Sequence, residues 1–119
     1  MGKINLNQKF NRFSEHWTPK ILGELNDQYL KIAKVKGEFV WHDHANEDEL
    51  FMVIKGQLNI QLKGEIVVLN EGEIYIVPKG VRHKPFAEDE CWILLLEPKE
   101  TKHTGAIKDD LTVEENDWL

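Results

Sequence analysis

Leu58, Ile60 and Leu62 alternate with Gln57, Asn59 and Gln61, the period-two pattern of a strand that buries one face. Lys63-Gly64 closes that run and Lys55-Gly56 separates it from an apolar run over residues 50–54, so the spacing predicts a meander of antiparallel strands. Residues 65–69, 73–77 and 91–96 read as three more strands, with Asn70-Glu71-Gly72 and the acidic run Glu88-Asp89-Glu90 between them as turns. Upstream, residues 21–25 and 29–35 are β-like and flank Asn26-Asp27, residue types that favour a tight turn. Many short strands with glycine turns imply an all-β barrel or sandwich.

The two ends read differently. Leu6, Phe10, Phe13 and Trp17 recur at spacings of four, three and four, which predicts a short helix with one apolar face, ending before Pro19. After Pro98 the chain turns polar, and Thr112 with Glu115 is spaced as a capping box ahead of Trp118-Leu119, so a short closing helix is expected there. The reading is one domain over residues 1–119: a barrel over about 21–98, an N-terminal arm over 1–20 and a C-terminal tail over 99–119. A length of 119 residues allows one core and not two.

Composition narrows the function classes. With 41% hydrophobic and 30% charged residues the chain has the balance of a folded globular protein. A formal charge of -6, with no basic run to neutralise phosphates, argues against a nucleic-acid partner. No stretch approaches the roughly twenty apolar residues of a membrane span, and residues 1–10 lack the apolar centre of a signal peptide. Cys91 is the single cysteine, so no internal disulfide can form. A cytoplasmic protein is expected.

The chemistry gathers around the histidines. His42 and His44 lie two apart in a segment read as extended, and side chains two apart on a strand share a face. Glu49 can cross a turn and return its carboxylate to the same point, and His83 follows the turn Pro78-Lys79-Gly80. Asp48 is a weaker substitute for Glu49. Three imidazoles and a carboxylate suit one divalent transition metal: Fe, Mn, Ni, Zn, Cu or Co.

The run Gly37-Glu38-Phe39-Val40-Trp41-His42-Asp43-His44, followed by Glu49 and Gly56, resembles the first motif of the cupin superfamily. Gly72, Pro78, Gly80 and His83, separated by five, one and two residues, resemble the second. The resemblance implies a cupin double-stranded β-helix, a jelly-roll barrel, flanked here by the short N-terminal helix and the short C-terminal helical tail. It assigns metal binding to His42, His44, Glu49 and His83. Two departures stand beside it: four residues rather than the usual five separate Gly37 from His42, and Ala87 stands where the second motif often has asparagine.

His16 and His103 have no partner at ligand spacing and read as ordinary histidines. Arg82 and Lys84 flank His83 and by alternation point away from the metal. Phe51 shares the parity of Glu49 and faces inward, and Cys91 reads as a small buried hydrophobe. The resemblance implies a metal-dependent enzyme of dioxygenase, isomerase or decarboxylase type, acting on a small polar molecule at coordination positions that the four protein ligands leave open. The alternative is a non-catalytic cupin that binds or senses a small molecule and carries a structural metal. A homodimer is expected on the same ground.

Overall fold

Alternation builds the barrel wall. The computed structural model describes residues 2–105, 111–113 and 116–119. After a helix α1 (Leu6–Phe10), eight strands follow: β1 (Lys20–Leu25), β2 (Gln28–Glu38), β3 (Glu49–Lys55), β4 (Leu58–Leu62), β5 (Glu65–Leu69), β6 (Ile74–Val77), β7 (Lys84–Pro98) and β8 (Asp117–Trp118). Every second residue of β3, β4 and the C-terminal half of β7 is buried. Val35, Phe51, Val53, Leu58, Ile60, Val77 and Ile93 meet inside as the main core.

The strand order is β5-β4-β7-β2-β1-β8, with β3 paired to β6 and β7. The fifteen residues of β7 join it together. β2 runs antiparallel along nearly its whole length, while its other edge pairs first with β4 and then with β3. The result is a jelly-roll barrel. Successive β3 and β4 do not pair with each other, contrary to the expected meander. At the Lys55-Gly56 corner the chain passes so close to β7 that a Cβ on Gly56, whose φ is +89°, would sit 3.0 Å from the Glu90 carbonyl oxygen. The chain therefore crosses rather than folds back.

The Asn26-Asp27 turn forms as expected, with Asn26 at φ 53° and Leu25 opposite Gln28. Glu88-Asp89-Glu90 is not a turn. It lies within β7, where the register with β2 shifts between the pairs Val35–Cys91 and Gly37–Ala87, so the acidic run bulges out as extra length in a continuous strand.

The N-terminal helix is shorter than its periodicity suggested. It ends at Phe10, and Trp17 sits in a bend at φ 57° beside β2: its N–H donates to the Lys34 carbonyl at 2.9 Å and its indole N–H to the Lys36 carbonyl at 2.9 Å. Phe10 and Phe13 pack with Leu22 and Ile32 on the outer face of the sheet, Phe10 stacking on Trp92 at 4.7 Å. Trp17 turns into the barrel and stacks on Phe39 at 4.7 Å. A spacing of four, three and four marks buried positions here without a helix to carry them all.

The expected closing helix rested partly on Glu115, which lies outside the described residues. The described tail contains no helix. It ends in β8, parallel to β1, and the Leu119 N–H donates to the Ile21 carbonyl at 2.9 Å. No described helix is long and apolar enough to cross a membrane.

Candidate metal centre

Two chain segments far apart in sequence meet at His42 and His83. Their backbones form an antiparallel bridge, with His42 N–H donating to the His83 carbonyl at 3.0 Å and His83 N–H to the His42 carbonyl at 2.9 Å. Each imidazole is oriented from its own chain: Nδ1 of His42 lies 2.9 Å from the Val40 carbonyl, and Nδ1 of His83 lies 2.9 Å from the Val81 carbonyl. A carbonyl oxygen only accepts, so in the neutral rings Nδ1 carries the proton and Nε2 presents its lone pair.

His44 enters from the loop after this bridge, held where Gly80 N–H donates to the His44 carbonyl at 2.8 Å. Glu49 opens β3, facing inward with Phe51 and Val53. Its Oε1 lies 3.5 Å from Nε2 of both His44 and His83. One donor atom from each of His42, His44, Glu49 and His83 lies within 4.8 Å of the others, and all four residues are buried.

The donor set fits a divalent transition metal. Both ring nitrogens of His44, Nε2 of His83 and Oε1 of Glu49 are buried without a hydrogen-bond partner; buried polar atoms of this kind are costly unless something satisfies them. Two ligands about 2.1 Å from one ion are separated by roughly 3.0–3.4 Å, close to the 3.5 Å seen here. Burial, then the neighbouring His83, lowers His42 from 6.5 to about 4, which keeps its Nε2 unprotonated. Burial acts in the same direction on His44, but the adjoining Glu49 carboxylate outweighs it and raises this ring. Burial would raise Glu49, but its neighbours Glu97, His44 and His83 outweigh burial and hold it well below the usual carboxylate range.

Glu97 and Lys31 form a polar layer behind Glu49. Leu50 opposes Leu96 across β3 and β7, so the next antiparallel position sets Glu49 beside Glu97. Burial and the charge of Glu49 push Glu97 well above the usual carboxylate range. Its Oε1 accepts from Lys31 Nζ at 2.8 Å, and Lys31 also donates to Asn116 Oδ1 at 2.7 Å. Both inward polar residues escaped the sequence reading, although their parity with Leu95 and Ala33 points them into the barrel.

The remaining expectations sort cleanly. Asp48 is exposed and caps Lys79 N–H at 2.8 Å, so it is no substitute for Glu49. Arg82 and Lys84 turn outward over Trp41. His16 pairs with Glu90 at 2.7 Å on the surface. His103 was read as ordinary, yet it lines a cavity of about 30 Å³ together with His42, Glu49, Phe51 and Leu95. No motif spacing marks it, because it comes from an irregular tail segment. That segment approaches so closely that a Cβ on Gly105, at φ +63°, would collide with the Asp43 carbonyl.

The model of a family described as the cupin domain matches residues 29–105, which span β2 through the whole of β7 and all four clustered side chains. The chain belongs to the cupin family. This cupin is 36% identical over 86 residues to the uncharacterized protein YdbB of Bacillus subtilis (strain 168), an alignment covering 71% of this chain and 76% of YdbB. Among solved structures, it resembles a cupin-2 domain protein from Shewanella frigidimarina at 49% identity and a TM-score of 0.80, covering 81% of this chain and 94% of that one. It also resembles the Neisseria meningitidis protein NMB1881 at 29% identity and a TM-score of 0.76, with coverages of 82% and 100%.

Proposed function

We propose that this cupin binds one divalent transition metal through His42, His44, Glu49 and His83 and is a metal-dependent enzyme acting on a small molecule in the barrel. The observation that carries the reading is the set of buried donor atoms without protein partners. When bound, the metal supplies Lewis acidity or oxygen activation. The chain supplies the rest. The Val40 and Val81 carbonyls hold the His42 and His83 rings with Nε2 inward, and the neighbouring Glu97, His44 and His83 keep Glu49 ionised. The aromatic and aliphatic walls, among them Trp17, Phe39 and Phe51, exclude water from the reacting space.

A homodimer belongs to the same proposal. Ile66, Val68, Ile74 and Ile76 on β5 and β6 are each about half exposed, a run of apolar side chains that supports contact with a second copy. A reducing, cytoplasmic setting fits the one cysteine, whose thiol is buried and pushed up to about 12 by that burial.

The test begins with metal content per chain in the purified protein and in His42→Ala and His44→Ala. We expect one equivalent in the wild type and a loss in affinity of about 10- to 100-fold or more in each variant; unchanged metal content overturns the site. Oxygen uptake and turnover follow, across thiols, catechols, diketones and sugar phosphates with each metal. Tight binding of a molecule without turnover under any metal replaces the enzyme with a binding module. Light scattering that gives a monomer removes the dimer.

A further inference from the structure

The cavity beside the four clustered side chains is selective by what its wall lacks. Among the described residues, His103 is the one lining residue with an ionisable side chain apart from His42 and Glu49; the others are aromatic, aliphatic or proline, including Trp17, Val35, Phe39, Phe51 and Ile93. The polar groups that do reach the wall are already committed. The Trp17 indole N–H donates to the Lys36 carbonyl at 2.9 Å. His103 Nδ1 accepts from Val113 N–H at 3.1 Å, the Leu111 carbonyl also bonds the ring, and a ring face packs on Phe39 at 4.8 Å. Deeper in the barrel, Lys31 Nζ is committed to Glu97 Oε1 at 2.8 Å and to Asn116 Oδ1 at 2.7 Å.

We infer that the ligand of this site is a small molecule with a metal-binding oxygen head and a short, uncharged apolar tail, and that sugars, sugar phosphates and amino-acid zwitterions are rejected. The inference rests on the proposed metal centre and revises the small polar substrate expected from the sequence. A hydroxyl or charge on the tail loses its water and finds no partner on this wall, whereas a methyl group loses nothing. The volume of about 30 Å³ admits roughly two water-sized groups, which corresponds to a tail of two or three carbons.

The test holds the metal-binding head constant and changes only the tail. Protein loaded with Co²⁺ is titrated with three probes while its visible absorption is followed: butyrohydroxamate, 3-hydroxypropionohydroxamate, which replaces the terminal methyl by hydroxyl at equal size, and succinohydroxamate, which ends in a carboxylate. The methyl-ended probe binds about 10- to 100-fold more tightly than the hydroxyl-ended one, and the carboxylate-ended probe binds most weakly. In Val35→Thr, an isosteric change that places a hydroxyl on the wall, the first ratio shrinks several-fold; Ile93→Thr repeats the test at a second wall position. Equal affinities, or preference for the hydroxyl or carboxylate tail, overturn the inference and leave the metal site standing. Failure of the protein to take up Co²⁺ overturns the metal reading and this inference with it.

Discussion

Replacing His103 by glutamine flattens the acid side of the stability profile. In the fold, burial lowers this ring from 6.5 to about 4. A histidine with a depressed folded pKa favours the neutral form, so its contribution to stability is complete above 6.5 and is lost as the pH falls toward 4. The full span, about 2.5 units at 1.36 kcal/mol each, is roughly 3.4 kcal/mol, of which ~2 kcal/mol is lost between about pH 7.5 and about pH 5. Glutamine keeps an amide able to meet Val113 N–H and does not titrate. His103→Gln is therefore less stable than the wild type at neutral pH, yet between those two pH values it loses ~2 kcal/mol less. The assay is urea unfolding of the metal-free protein at both pH values, followed by tryptophan fluorescence. His42, also lowered to about 4, remains in both proteins and cancels in the comparison. Parallel pH profiles for the two proteins refute the reasoning, because they require His103 to titrate alike in the folded and unfolded chains.

Two further outcomes follow from the packing. Phe10→Ala removes a fully buried ring stacked on Trp92 and costs about 3–5 kcal/mol, measured by urea unfolding; a cost under ~1 kcal/mol shows that the arm does not hold the outer sheet face. Lys31→Met removes the Nζ donor to Glu97 Oε1 and destabilises the fold by about 1–3 kcal/mol, while the double variant Lys31→Met/Glu97→Leu recovers much of the loss; additivity of the two single changes in a double-mutant cycle contradicts a coupled buried pair.

Legibility followed the reach of each signal. The inward alternation of Leu58, Ile60 and Leu62 and the turn at Asn26-Asp27 are local, and the structure reproduces both. The grouping of His42, His44, Glu49 and His83 was legible because their spacing encodes a shared corner of the barrel. Strand partners were not, since β3 and β4 both pair with a strand made much later in the chain. The acidic run Glu88-Asp89-Glu90 looked like a turn because bulges and turns both leave side chains in solvent. Lys31 and Glu97 were hidden by the rule that charged residues face outward; the two pair with each other inside the barrel, which lifts the rule. His103 reaches the cavity through the path of the tail, a tertiary fact with no periodic trace.

The position of β7 also fixes when this protein can fold. β2, β3 and β4 each take it as a partner, and its residues run from Lys84 to Pro98. A ribosome delivering about 5–20 residues per second therefore releases His42, His44 and Glu49 roughly 2–11 s before the strand that joins their surroundings is complete at Pro98. Until then the chain carries three apolar strands with open edges, a state prone to pair with other chains. The barrel closes only once Pro98 has been made, and a chain truncated before it is expected to aggregate rather than form a smaller fold.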